Sequence, residues 1–285
     1  MEPLERARLS LEGLSIGDAF GETFFAHPDG PRPAGPWRWT DDTEMAFSIV
    51  EELGAGAGAI DQDRLVDRFA RRMSPDRGYG AGAYQILRRV RDGSSWRRVA
   101  AEAFGGIGSF GNGAAMRVAP LGAYHAVDLA RVTAEAAASG AVTHAHAEGI
   151  AGAVAVAVAA ALAWRSRGAT WNGAAFVREI IAHTPAGYTR DGIEEALALP
   201  DGVTVLAAAR ALGNGSAVTA PDTVPFVLWS VARHADDFRA ALAQTATALG
   251  DVDTTCAMVG GIVILRTGAS TVPDEWHHAR EPLPS

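Results

Sequence analysis

The run Ile150-Ala151-Gly152-Ala153-Val154-Ala155-Val156-Ala157-Val158-Ala159-Ala160-Ala161-Leu162-Ala163-Trp164 is the most apolar stretch of the chain. Between Gly152 and Val158 it alternates Ala with Val at period two, which on its own is the pattern of a strand. That alternation sits inside fifteen Ala-rich residues, and both length and alanine's helix propensity arbitrate for a helix. Apolar on every side, such a helix has to be buried. Fifteen residues of mostly Ala and Val are too short and too weakly apolar for a bilayer span. Period-two alternation bounded by turns is scarce elsewhere, so this one reading sets the fold class: all-α.

Outward from that helix, apolar residues recur at helical spacing. Helices are predicted at roughly 4 to 22, 61 to 73, 82 to 92, 127 to 139, 145 to 166, 172 to 183, 204 to 212, 222 to 234, 236 to 249 and 254 to 266. A further helix carries the stripe Met45, Ala46, Ile49, Val50 and Leu53 and ends at Gly54; Asp41 and Glu44 give it a capping-box-like start. Gly- and Pro-rich punctuation falls at His27 to Pro36, Gly54 to Gly58, Gly105 to Gly113 and after Val272. None of it reads as an interdomain linker. The expectation is one all-α domain over residues 1–270, followed by a tail, 271–285, that is poorly ordered or docked on the surface.

With 285 residues, 48% hydrophobic and 20% charged, the chain has the composition of a soluble globular protein with a sizeable core. A net charge of −8 gives no general case for nucleic acid or an anionic membrane surface, and neither is expected as a partner. Cys256 is the single cysteine, so an intrachain disulfide and a thiolate zinc site are excluded. The N-terminus lacks the pattern of a signal peptide, and the expected compartment is the cytoplasm. All 25 basic residues are arginine. A P-loop lysine, a Schiff-base lysine and a kinase lysine are therefore excluded.

Two acid-rich helix starts carry the chemistry. Thr40-Asp41-Asp42-Thr43 precedes the Met45 stripe, and Gly250-Asp251-Val252-Asp253-Thr254-Thr255 precedes the apolar run Met258 to Leu265. Helix capping explains either stretch taken alone. Two of them in one chain suggest that they meet. Four carboxylates brought together repel unless a cation compensates, and oxygen-only ligands suit Mg²⁺, Mn²⁺ or Ca²⁺ better than Zn²⁺. An EF-hand loop beginning at Asp251 would need Gly and Glu where Cys256 and Ile262 stand. A phosphatase of the aspartyl-phosphate type would need a preceding strand and a lysine.

The segment Phe104 to Arg117 is glycine-rich and could bring backbone N–H groups to a pyrophosphate, with Ser109 or Arg117 adding donors. An ordinary loop is the simpler reading of glycine alone, and no strand precedes it as a dinucleotide fingerprint requires. His144 and His146 are two apart and point in different directions on a helix. Trp37 and Trp39 read as core, and Arg88, Arg89, Arg91, Arg97 and Arg98 as a solvated face.

Five motifs in order carry a resemblance: Gly13-Leu14-Ser15-Ile16-Gly17-Asp18-Ala19-Phe20-Gly21, Thr40-Asp41-Asp42-Thr43, Gly111-Asn112-Gly113-Ala114-Ala115-Met116-Arg117, Thr143-His144 and Gly250-Asp251-Val252-Asp253-Thr254. The chain resembles the ADP-ribosylglycohydrolases, a family that includes dinitrogen reductase activating glycohydrolase and the ADP-ribosyl-arginine and ADP-ribosyl-serine hydrolases. The resemblance implies a compact, orthogonal all-α domain, and hydrolysis of the glycosidic bond between ADP-ribose and an acceptor by a monomer. It also implies two divalent cations, usually Mg²⁺ and sometimes Mn²⁺. Carried over by motif, the metal ligands are Thr40, Asp41, Asp42, Asp251, Asp253 and Thr254, with Asp18 in support. Ser109, Phe110, Gly111, Asn112, Gly113 and Met116 match the diphosphate and ribose loop, and His144 a residue near bound ADP-ribose.

The sequence departs from the family pattern at Phe25, where many relatives carry a Glu in Gly-Asp-x-x-Gly-x-x-x-Glu. Glu22, one helical turn earlier, is the expected substitute for handling the proton, together with Asp42; Glu44 and Glu148 are the other carboxylates to weigh. The competing readings are an ADP-ribose-binding protein without turnover and, with less support, a metal-dependent phosphohydrolase. Leu249-Gly250 stands where many relatives have two glycines, which reads as a minor departure.

Overall fold

A computed structural model of the chain describes residues 1–28 and 32–284. Part of the loop predicted from His27 to Pro36 lies outside them, as does Ser285. The described residues form fifteen α-helices and no strand; only two isolated bridges, Trp37 to Arg280 and Gly111 to Thr219, pair backbone as a sheet would. In order they are α1 (Pro3–Ala26), α2 (Asp41–Ala55), α3 (Gln62–Arg72), α4 (Ala81–Arg91), α5 (Trp96–Gly106), α6 (Ala119–Tyr124), α7 (Leu129–Ala141), α8 (Ala147–Arg165), α9 (Gly173–His183), α10 (Tyr188–Ala198), α11 (Val205–Leu212), α12 (Ala220–His234), α13 (Phe238–Ala246), α14 (Val252–Thr267) and α15 (Asp274–Ala279).

The Ala/Val run is the helix α8, and it is longer than the apolar run alone. At 19 residues it has the length and composition to cross a membrane, but 78% of its most apolar window is buried inside the fold. It lies among α6, α7, α9, α12 and α14. Val154, Val156 and Val158, which alternation would put on one face of a strand, are all buried on different sides of the helix.

α1 and α14 form the central pair, and glycine sets how close they come. Gly13, Gly17 and Gly21 stand four residues apart on one face of α1. A Cβ at Gly17 would overlap the Cys256 carbonyl oxygen, and one at Gly21 would lie 2.5 Å from the Cα of Asp253. The two backbones therefore touch where Asp18 and Asp253 face each other, and any larger residue at Gly17 or Gly21 separates them.

Four elements escaped the periodicity reading: α5, α6, α10 and α15. α6 and α15 have only six residues each, too short to establish a period. α5 turns out of helical geometry at Ala103 to Gly105. α15 shows that the C-terminal segment is docked: Trp276 is buried and stacks on Phe20 at 4.5 Å. Arg77 pairs with Glu281 at 2.7 Å. Leu249 has φ of 55° and Gly250 φ of 74°, so both occupy the left-handed region. The Leu-for-Gly departure thus carries strain, of roughly 1–2 kcal/mol for a non-glycine residue.

Candidate active site

The start of α2 is built on Asp18. Its carboxylate accepts from the backbone N–H of Thr40 at 2.9 Å and of Thr43 at 3.1 Å, and from both threonine hydroxyls at 2.9 and 2.5 Å. Asp18 is fully buried, yet these four donors hold it, and burial pushes its pKa up only to about 6. Thr40, rather than Asp41, is the N-cap of α2, accepting from the Asp42 N–H. Glu44 does not reach back to complete a capping box. Its carboxylate accepts from the Ser74 N–H at 3.0 Å and the Tyr79 hydroxyl at 2.8 Å.

Asp41 and Asp42 are then free of capping duty in the first turn of α2, and α14 brings the second acidic start against them. Oxygen atoms of Asp18, Asp42 and Asp253 lie within 4.8 Å of one another. The Thr254 hydroxyl donates to Asp42 Oδ2 at 3.3 Å. Asp251 occupies the N-cap position of α14 but makes no capping bond; it accepts instead from the Asn112 side chain at 2.6 Å. Capping therefore does not explain this aspartate.

Gathered this way, the carboxylates are held out of water and close to like charges. Burial, then Asp18, pushes Asp41 up to about 8. Burial, then neighbouring carboxylates, drives Asp42 and Asp253 well above their ordinary value, and burial raises Asp251. The N-terminal ends of α2 and α14 relieve part of this. Two oxygens remain unexplained by the chain itself: Asp42 Oδ1 and Asp253 Oδ1 are buried and lack a hydrogen-bond partner. Carboxylate and hydroxyl oxygens with two such orphans fit a hard divalent cation.

Part of the cluster, Asp41, Asp251, Asp253 and Thr254, lines a cavity of about 600 Å³, whereas Asp18, Thr40 and Asp42 are not on its wall. Its walls bring together most of the residues singled out from sequence: Asp41, Ser109, Phe110, Gly111, Asn112, Gly113, Met116, His144, Asp251, Asp253 and Thr254. The loop from Ser109 is tied to the chain before α12, through Asn112 N–H to the Val218 carbonyl at 3.3 Å and Ala220 N–H to the Phe110 carbonyl at 3.0 Å. The missing side chains at Gly111 and Gly113 leave room for His144: a Cβ there would lie 3.3 and 3.1 Å from its Nε2.

His144 is held from behind. Arg117, fully buried, donates to the Thr143 hydroxyl at 2.9 Å, and that hydroxyl pairs with His144 Nδ1 at 2.8 Å. The arginine occupies one lone pair of Thr143 and leaves the threonine proton available to Nδ1, the pairing that belongs to the His144 tautomer with its proton on Nε2. Burial and Arg117 lower His144 to about 3, so it is neutral at pH 7. Arg117 lines the cavity, as the donor reading requires, and its buried Nε has no partner, although most of the guanidinium is committed within the fold. Its guanidinium also binds the Ser139 carbonyl at 3.1 Å and stacks on Phe69 at 4.5 Å.

Other candidates sort out plainly. Glu22 is half-buried on α1, one turn beyond Asp18 on the same face, with its pKa raised by burial; it is not among the residues lining the cavity. Phe25, one turn further along that stripe, is 57% exposed. Glu148 is committed to α10, accepting from Tyr188 N–H, Thr189 N–H and the Thr189 hydroxyl at 2.7 to 2.8 Å. His146 caps α8 through the Glu148 N–H. Trp37 and Trp39 are core, and Arg89 and Arg97 pair with Glu102 and Asp63 at the surface.

Sequence reasoning left Phe104 unassigned. It lines the cavity mouth at φ of 52°, 58% exposed. Gly78, Gly80, Ala81, Gly82 and Ala83, in a loop expected to recognise the acceptor, line the cavity as well, and the rim Ala217 to Thr219 went unassigned. An exposed aromatic among glycines was the available signal for the first.

The profile of the ADP-ribosylglycohydrolase family matches residues 1–283. The chain belongs to that family. It is 30% identical to the bovine ADP-ribosylhydrolase ARH3, over 98% of this chain and 89% of the relative, and 29% identical to the human ARH3, over 98% and 90%. It is 25% identical to the ADP-ribosylarginine hydrolase Tri1 of Serratia proteamaculans, over 96% and 75%. Among solved structures, an ADP-ribosylglycohydrolase-related protein complex superposes with a TM-score of 0.71 at 22% identity, covering 98% of this chain and 93% of that one. That match supports the all-α fold.

Proposed function

We propose that this member of the family hydrolyses the glycosidic bond between ADP-ribose and an acceptor, with two divalent cations, magnesium in the first place and manganese in the second. The observation that carries the reading is the pair of orphan carboxylate oxygens, Asp253 Oδ1 from a residue on the wall of a cavity sized for a nucleotide and Asp42 Oδ1 from a residue off that wall. Asp42 and Asp253 would hold the cations with Thr40, Asp41, Asp251 and Thr254. When bound, such ions supply an acidified, positioned water and bind the cis hydroxyls of a ribose.

The chain's own residues do the rest. The backbone N–H groups of Ser109, Phe110 and Gly113 and the Nε2–H of neutral His144 are donors for a diphosphate, those of Gly111 and Asn112 being bonded within the fold. Because His144 stays neutral, it binds the diphosphate as a hydrogen-bond donor and adds no charge. Phe104 and Phe110 offer ring faces at the cavity mouth for a base. Positive charge building at the anomeric carbon in an oxocarbenium-like state is stabilised by the carboxylates of α2 and α14. Glu22, its proton held more tightly because of burial, protonates the leaving acceptor, and Asp42 orients the attacking side.

A second reading, ADP-ribose binding without turnover, is favoured by one observation: Phe25 takes the place of a carboxylate, and Glu22 stands off the cavity wall. Incubation of the purified chain with arginine- and serine-linked ADP-ribosyl peptides, with Mg²⁺ and with EDTA, separates the two. Release of ADP-ribose in Mg²⁺ alone supports hydrolysis. Tight ADP-ribose binding with no release from either peptide overturns it.

A further inference from the structure

A second cavity, of about 690 Å³, lies away from the carboxylates and shares no lining residue with the first. Its walls come from α9 to α13. It opens where the packing divides: Ala196, Ala208, Ala209, Leu212, Phe226, Trp229 and Ala248 form a small apolar cluster separate from the main core. Val177, Leu197, Leu199 and Val203 give the wall an aliphatic stretch beside Trp229, whose ring is stacked on Phe226 at 5.8 Å. A volume of this size with apolar walls and few polar groups is the ordinary form of a small-molecule site.

Of the polar residues on it, Asp201, Thr204, Arg233, His234 and Gln244, only Arg233 carries a fixed positive charge. Arg233 lies over Trp229, 5.0 Å from the ring, and spends one N–H on the Pro200 carbonyl at 2.9 Å. Among the described residues it forms no ion pair with a carboxylate, although most arginines near the surface do. The positive end of α11 opens at Thr204 and Val205, whose only capping bond goes to Ala207 N–H. Trp229 is 3% exposed and its indole N–H has no acceptor. An indole N–H and a guanidinium only donate, so an occupant has to accept. Asp201 is the one acid on the lining, and it is exposed to solvent.

We propose that this cavity is a second ligand site, for a small carboxylate with a planar apolar body. The carboxylate pairs with Arg233 beside the start of α11, and the body lies along the aliphatic wall, near enough to Trp229 for its indole N–H to report binding. The site does not depend on the hydrolase reading, because no residue of the first cavity takes part.

The test uses the full chain with ¹⁵N-labelled tryptophan, titrated with indole-3-acetate and benzoate, and with their neutral amides as matched probes. The Trp229 indole resonance is identified by its loss in Trp229→Phe. The expected result is a saturable shift of that resonance with the acids, at least about tenfold tighter than with the amides. Arg233→Met should bring acids and amides level. Ala174→Phe, at an exposed position on the lining, should block both without unfolding the chain. No saturable shift up to ~10 mM acid overturns the site. Equal affinity of acid and amide overturns the carboxylate assignment, and binding unchanged in Ala174→Phe overturns the location.

Discussion

Replacing Asp253 by Asn should make the metal-free protein more stable. Carboxylate oxygens of Asp18, Asp42 and Asp253 lie within 4.8 Å of one another. At an effective dielectric constant of about 20, two charges at that separation repel by about 3 kcal/mol. Partial protonation already relieves some of this at neutral pH, because burial and mutual repulsion hold Asp42 and Asp253 far above the ordinary carboxylate range. The net gain for Asp253→Asn is then ~1–3 kcal/mol, roughly 2–8 °C in melting temperature for a chain of this size. The new carboxamide also offers N–H groups to the neighbouring orphan oxygens.

The same physics fixes a pH dependence. Carboxylates with raised folded-state pKa values bind more protons folded than unfolded, so metal-free stability falls as pH rises from about 4, the unfolded value, through about 8, where Asp41 titrates. In the wild type, Mg²⁺ at about a hundred times its dissociation constant adds ~2.7 kcal/mol and flattens this dependence. In Asp253→Asn the Mg²⁺ increment should be lost. Thermal melts by circular dichroism at several pH values, in EDTA and in Mg²⁺, read all of this. A variant less stable than wild type in EDTA, or one that keeps the full Mg²⁺ increment, would refute the reasoning.

Four further outcomes follow from particular contacts. Gly17→Val should force α1 from α14, because its side chain meets the Cys256 carbonyl; a loss of about 3 kcal/mol or more is expected in urea denaturation. Leu249→Gly should relieve the left-handed strain and, after the entropy of a freer unfolded chain, raise stability by ~0.5–1 kcal/mol in the same assay. Thr143→Val leaves His144 Nδ1 and one Arg117 N–H unpaired, so ADP-ribose affinity by calorimetry should fall about tenfold. The ¹⁵N shifts of His144 should report a changed tautomer. Glu22→Gln should reduce turnover by about a hundredfold or more with ADP-ribose affinity unchanged; equal turnover would remove Glu22 from the chemistry.

How much of this was legible in the sequence differs by residue. The all-α fold rested on reading Ile150 to Trp164 as a helix, and the glycine spacing at 13, 17 and 21 was visible before its purpose was. The two acid-rich starts were legible as a pair because their chemistry has one common use. What escaped depended on contacts between distant segments. That Asp251 serves Asn112 instead of capping its own helix, that Glu148 belongs to α10, and that Arg117 is buried behind His144 are all consequences of packing between segments 26 to 139 residues apart. Left-handed backbone at Phe104 and Leu249 is set by the turns around them and not by their own propensities. The short helices α6 and α15 carry too few residues for any period.

The account stands on Asp42 and Asp253 being the seat of a divalent cation beside bound ADP-ribose. The most direct measurement is a crystal structure with Mn²⁺ and ADP-ribose, recorded for anomalous scattering. The account predicts anomalous density about 2.0–2.2 Å from carboxylate oxygens of both Asp42 and Asp253, with the ribose diol toward it and the diphosphate along Ser109 to Gly113. ADP-ribose bound in that cavity with no anomalous density between the two aspartates, at saturating Mn²⁺, would contradict it.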